Sequence, residues 1–246
     1  MKLKFSKNII LSFRRFEFKY QIPKAIVGRI IPQLMKYMIW DEYVGDSGYY
    51  EVHSLYMDSP HFKCYHEKLD GFIDRKKIRI RSYKKTLNSD DIVFFELKRK
   101  SGSVILKDRA MVRVKDFELF AGNPFAFFSM ENYKNDFFNE FVYDFSKYHM
   151  KPVTLVSYKR KPFYSKFDKN FRVTFDYDLS FAKIKDFDFS VKSECAHRDL
   201  AVMEVKFNGA MPKWFHDIIE MYGLTHDTFS KYCGAVEFCY GFPNYF

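Results

Sequence analysis

Between Lys76 and Arg109 the chain carries cations at the spacing of β-strands. Arg79 and Arg81 alternate with Ile78 and Ile80, and Glu96 and Lys98 with Phe95 and Leu97; Lys107 and Arg109 fall opposite Val104 and Leu106. Residues two apart on a strand point to the same face. Three such segments side by side predict a mostly cationic surface built on sheet rather than loop. The chemistry suited to it is the binding of a polyanion, because fixed guanidinium and ammonium groups can each meet one unit of a repeating charge.

The elements that would position these groups follow from periodicity. A strand is expected over about Phe13–Tyr20, with Arg15, Glu17 and Lys19 on one face. Ile22-Pro23 then opens a helix carrying Ile26, Ile30, Ile31, Leu34 and Met38. Tyr49–Met57 alternates as a strand. Asp58-Ser59-Pro60 reads as the start of a short helix ending before Asp70-Gly71. After the three charged strands a helical stretch runs from about Glu131 to Tyr148. Strands resume at Val153–Arg160, Phe171–Asp178 and Ala201–Phe207, and helices at Pro212–Tyr222 and Ser230–Phe238. About eight strands with four or five helices and no regular βαβ alternation give an α+β class with a mainly antiparallel sheet. No linker or repeat divides the 246 residues, so a single domain over residues 1–246 is expected.

The polar faces together hold Glu17, Lys19, Arg79, Arg81, Glu96, Lys98, Lys107, Arg109, Arg160, Arg172, Asp176, Glu204 and Lys206. Two architectures accommodate them. A half-exposed sheet would leave these charges in water. A barrel turned inside out would line its lumen with them and cover its apolar outside with the amphipathic helices. The second is favoured, because these positions hold Arg, Lys and Glu almost throughout, where a solvent face would mix in Thr, Ser and Gln. Such a lumen is costly empty and calls for a bound anion, and its carboxylates could hold a divalent metal through hard oxygen ligands. Glu204 is the first candidate ligand, with an ion pair to a neighbouring cation as its alternative role.

Composition narrows the partners. The net charge is +10, hydrophobic residues make up 47% and aromatics 20%, which describes a globular basic protein. Cys64, Cys195, Cys233 and Cys239 form no CxxC pair, so neither a zinc site nor a disulfide framework is indicated. The apolar stretch Ile9–Phe13 is too short for a secretory signal, and no run approaches a membrane span; a soluble, cytoplasmic protein is expected. The aromatics fall on the apolar strand faces, away from the cations, which argues against nucleic-acid binding. The seven histidines lack metal-ligand spacing, so His53 and His66 are read as structural, and the Phe-rich 120–145 region as core.

The segments RRFEFKY, YEVHSLYMDSPHFKCYHEKLDG, RKKIRIRSY, FFELKRK, VMEVKFN and FSKYCGA occur in order from about Arg14 to Glu237. In this order and spacing they resemble the VTC domain, the catalytic module of polyphosphate polymerases related to the vacuolar transporter chaperone complex. That domain is one of the triphosphate tunnel, or CYTH-like, proteins, and the chain resembles a stand-alone bacterial version. The resemblance implies a closed tunnel barrel of eight antiparallel strands. It implies transfer of the terminal phosphoryl group of ATP to a growing inorganic polyphosphate chain, with Mn²⁺ or Mg²⁺. By motif, Lys19, Arg79, Arg81, Lys98, Lys107, Arg160 and Lys231 would bind phosphate. Glu204 would hold the metal, and Tyr158 and Ser230 would offer hydroxyls. Arg109 and Lys206 are placed by alternation. Hydrolytic relatives often begin with Glu-x-Glu-x-Lys; here the first position is Arg15. Fewer carboxylates disfavour a second metal, and with it triphosphate hydrolysis. An inorganic triphosphatase and a silent polyphosphate-binding subunit stay open beside the polymerase, as does a membrane partner for the product.

Overall fold

The computed structural model describes residues 16–243 except Ser103. The strand expected from Phe13 therefore begins outside the described residues, and Arg15 lies outside them too. Ten strands run in chain order as β1 (Phe16–Pro23), β2 (Met38–Trp40), β3 (Tyr50–Asp58), β4 (Asp74–Ser82), β5 (Ile92–Ser101), β6 (Val104–Arg113), β7 (Lys151–Ser165), β8 (Arg172–Lys183), β9 (Glu194–His197) and β10 (Leu200–Phe207). Six helices accompany them: α1 (Lys24–Met35), α2 (Lys63–Leu69), α3 (Val114–Gly122), α4 (Asp136–Lys147), α5 (Lys213–Met221) and α6 (Lys231–Tyr240).

Every pairing is antiparallel, as expected. The hydrogen-bonded path runs β1-β10-β8-β7-β3-β4-β5-β6, with β2 added on β7 and β9 on β8. The expected closed eight-stranded barrel needs correction here: among the described residues no backbone pairing joins β1 to β6. The outer edge of β1 is instead used at Lys19, whose carbonyl accepts from the Asp227 N–H at 2.8 Å. Side chains span the gap. Lys98 on β5 reaches Glu17 on β1 at 3.3 Å, so the sheet curls until its two ends face each other.

The curl puts the charged strand faces inside and the apolar faces outside, where the helices cover them. One apolar cluster centres on Phe95 of β5, ringed by Phe117 and Phe120 of α3, Phe138 and Phe141 of α4, and Phe127. The other lies under α1 and α5, where Ile30, Leu34 and Phe215 meet Phe163, Phe171 and Phe175. The Phe-rich region is thus largely core, although Phe125 and Phe128 stay exposed.

Helix boundaries carry two corrections. The stretch expected from Glu131 is a single 3₁₀ turn before α4, which starts where the Asn135 side chain accepts from the Phe138 N–H. The helix expected to start at Ser59-Pro60 instead begins at Lys63, after Phe62; Asp58 supplies most of the bonds there, accepting from the N–H groups of Ser59, Cys64 and Tyr65 at 2.7, 2.9 and 3.1 Å and from the Tyr232 hydroxyl. Asp58 is fully buried and so ties α2 to α6. No helix among the described residues is long and apolar enough to cross a membrane.

Candidate functional site

The interior is built by register. Glu96 stands opposite Arg79 on β4 and Arg109 on β6, while Lys98 stands opposite Lys77 and Lys107. Across the sheet Arg160 pairs with Asp176, and Glu204 with Lys19. Antiparallel pairing and two-residue alternation therefore deliver all these side chains to one concave face. Glu96 and Asp176 are buried to 1% and 0% exposure, where an ordinary solvent face would leave carboxylates open.

Glu96 is the hub of one cluster. Arg79 Nε donates to it, Lys107 Nζ lies 2.6 Å away, Arg109 Nε 3.2 Å and Arg81 Nε 3.9 Å. Arg79 also donates to the Tyr56 hydroxyl at 2.9 Å, and Arg81 to the Ser54 hydroxyl at 3.3 Å. Burial opposes ionisation of Glu96, yet Arg79, Arg81, Lys107 and Arg109 hold its carboxyl well below the usual range. Desolvation among the surrounding side chains pushes Lys107 below the usual ammonium range, with help from Arg79 and Arg81 and against Glu96, even though 39% of its side chain stays open.

The second cluster joins β1, β7, β8, β10 and α6. Arg160 grips Asp176 with Nε and Nη2 at 2.6 and 2.7 Å and reaches Glu204 at 3.1 Å. Lys231 Nζ lies 2.7 Å from Asp176, and Lys206 Nζ 3.1 Å from Glu204. Glu17 meets Lys98 at 3.3 Å, Lys19 at 3.5 Å and Lys206 at 4.0 Å. The Tyr158 ring stands between cations, 5.3 Å from the Arg160 guanidinium and 5.1 Å from Lys231 Nζ. Ser230 caps α6, accepting from the Cys233 N–H at 3.4 Å, and also accepts from Lys77 Nζ at 3.1 Å.

All twelve residues expected from the sequence thus face the concave side, Lys107 and Arg109 remaining exposed on the edge strand β6. Lys77 was missed, although it precedes Arg79 by two. Its neighbour Lys76 turns outward to Glu140 and Asp144, each at 2.8 Å, so the double lysine hid the alternation. Tyr56 and Ser54 were missed because uncharged side chains gave no signal. Arg172 does not join the clusters; it lies at the start of β8, 4.4 Å over the Tyr164 ring. His53 is buried against Ser157, as a structural residue would be.

Ten cations (Lys19, Lys77, Arg79, Arg81, Lys98, Lys107, Arg109, Arg160, Lys206 and Lys231) therefore surround four carboxylates (Glu17, Glu96, Asp176 and Glu204). Such an excess on one concave face favours a multiply charged anion. Among the described residues no group of three or more His, Cys, Asp and Glu is placed to hold a metal by itself. A hard divalent ion, if bound here, would have Glu204 as its protein ligand and would need further oxygens from its phosphate partner. Glu204 offers a carboxylate oxygen, Glu17 and Asp176 are close enough to feel its charge, and phosphate oxygens and water can complete the sphere.

The VTC domain profile matches residues 14–240. A curated relative, the vacuolar transporter chaperone complex subunit 4 of Trypanosoma brucei brucei, is 25% identical over 259 aligned positions. These cover 88% of this chain but 32% of that relative, so the chain spans about a third of its length. A crystal structure from Bacillus halodurans, provisionally described as an adenylate cyclase, superposes with a TM-score of 0.53 at 13% identity, covering 89% of this chain and 96% of that one. That likeness concerns the fold alone. With the family profile spanning nearly the whole curled, charge-lined sheet, this chain belongs to the VTC domain family.

Proposed function

We propose that this protein is a polyphosphate polymerase, a phosphotransferase moving the terminal phosphoryl group of ATP onto inorganic polyphosphate. The observation that carries the reading is the excess of cations over carboxylates on one concave face, ten against four, arranged along strands as a repeating anion would need. In this reading the interior is a tunnel, with the gap between β1 and β6 closed by side chains rather than backbone. With ATP as its donor, the protein would act in the cytoplasm.

Arg79, Arg81, Lys98 and Arg160 surround the β- and γ-phosphates. Lys19, Lys107, Arg109, Lys206 and Lys231, with the Tyr158 and Ser230 hydroxyls, hold the rest of the donor and the chain. Glu204 would hold Mn²⁺ or Mg²⁺, which when bound neutralises phosphate charge. The terminal oxygen of the acceptor bonds to the γ-phosphorus, the bond to the β–γ bridging oxygen breaks, and ADP leaves with that oxygen. The acceptor is already ionised near neutral pH, so no general base is required. Positioning and charge neutralisation lower the barrier, as in other phosphoryl transfers.

The test is to incubate the purified protein with ATP and Mn²⁺ and resolve the products on a gel. Long-chain polyphosphate with release of ADP supports the reading. Orthophosphate alone would identify a triphosphatase, and binding of polyphosphate without turnover a silent binder.

A further inference from the structure

We infer that the rim formed by Tyr83, Phe94 and Met111 is the seat for the nucleobase of the phosphoryl donor; this rests on the ATP-dependent reading above. Phe94 precedes Glu96 by two residues on β5, so its side chain takes the same face about 7 Å further along the strand. Met111 stands opposite Phe94 on β6, as Arg109 stands opposite Glu96. Tyr83 follows Arg81 by two. The cationic collar around Glu96 thus gives way, within one pleat, to an apolar rim.

Arg109 joins the two zones. Its Nε is 3.2 Å from Glu96, its guanidinium carbon lies 3.7 Å from the Phe94 ring centroid, and its Nη2 donates to the Tyr83 hydroxyl at 2.8 Å. The Tyr83 ring is held edge-to-face between Tyr50 and Phe94, each at 5.5 Å, so it is fixed before any ligand arrives. It nonetheless keeps 38% of its surface open, and Met111 keeps 54%. An inorganic phosphate chain has no apolar part to use such a surface. A nucleoside triphosphate does: with its phosphates in the collar, its base is the one planar group that reaches the rim. A purine ring stacks on aromatic and guanidinium planes without needing hydrogen-bond readout.

The test compares ATP with inorganic tripolyphosphate, which carries the same phosphates and no base. Calorimetric titration of wild type, Tyr83→Ala and Tyr83→Phe separates the two contributions. Tyr83→Ala is expected to weaken ATP binding about tenfold and to leave tripolyphosphate within about twofold, the size expected for one lost stacking surface. Tyr83→Phe keeps the ring and should retain ATP affinity. Equal weakening of both ligands by Tyr83→Ala would overturn the inference, since Tyr83 would then only seat Arg109; so would no change in either. If wild type makes polyphosphate from ATP and Tyr83→Ala is neutral, only the nucleobase seat falls. If wild type binds neither ligand, the ATP-dependent reading falls with it.

Discussion

Glu17 on β1 and Lys98 on β5 lie 3.3 Å apart across the interior, although β1 ends the hydrogen-bonded path and β5 lies next to its other end. This pair bridges a gap that backbone pairing leaves open. Glu17 also counters Lys19 and Lys206. Replacing it with Gln should lower the melting temperature by a few degrees while tightening tripolyphosphate binding severalfold, because three cations are released for phosphate. Calorimetry showing unchanged or weaker binding would contradict this.

Glu96 offers a sharper test of the same logic. Four cations share its carboxylate, and breaking a buried ionic cluster by removing one partner costs roughly 3–5 kcal/mol. Glu96→Gln should therefore melt well below wild type, and tripolyphosphate should raise its melting temperature more than it raises that of wild type. An equal ligand-induced rise in both proteins would mean that the phosphates settle elsewhere.

Lys107 makes binding pH-dependent. Partial desolvation beside Arg79 and Arg81 holds its ammonium below the usual range in the free protein, against the pull of Glu96. A phosphate beside it raises its pKa again. Above about pH 8, where phosphate is already ionised, binding should take up protons, and affinity should fall as pH rises through the free-state pKa. Titrations in two buffers of different ionisation enthalpy measure the uptake; none, or none lost in Lys107→Met, would exclude Lys107 from the contact.

Acid should loosen the protein in a defined window. Glu17 is held down at about 2, against burial and Glu204, by Lys98, Lys206 and Lys19; Glu140 is held at about 2 chiefly by the Arg99 hydrogen bonds. A depressed folded-state pKa contributes stability above the unfolded value, near 4.5, that is lost as pH falls toward 2. Melting temperatures should be flat down to about pH 5 and then fall, less steeply in Glu140→Gln.

Asp58 anchors the helix that carries Lys231. It accepts backbone N–H bonds from Ser59 and from Cys64 and Tyr65 of α2, and one hydroxyl bond from Tyr232 of α6. Asp58→Ala leaves those donors without their acceptor and should cost about 3 kcal/mol or more, since each unsatisfied buried donor costs about 1–3 kcal/mol. Denaturant unfolding measures it; a loss below about 1 kcal/mol would mean that the two helices hold without this link.

The strands bearing charge were legible because β4, β5 and β6 alternate cleanly, and every residue chosen for phosphate contact faces the concave side. Legibility failed where local pattern carried no information. Lys76 and Lys77 are chemically alike; the pleat of β4 sends them to opposite faces, where Lys76 meets Glu140 and Asp144. Arg172 satisfies alternation, yet its place at the start of β8 takes it out of the clusters. Helix α3 follows β6 without a breaker or a side-chain cap, so nothing local marks its beginning. Closure depended on how far the sheet curls and on Asp227 taking a bond on the edge of β1, a relationship between segments more than 200 residues apart.

The shared carboxylates also bear on movement. A polyanion advancing through bare cations would fall into a deep well at each one and stall. Here Glu96, Asp176, Glu204 and Glu17 already occupy cations, so on the proposed function a phosphate that engages would displace an internal partner, and one that leaves would let that partner return. In that reading the carboxylates would act as a lubricant, flattening the landscape along the wall so that a chain could slip past without a motor.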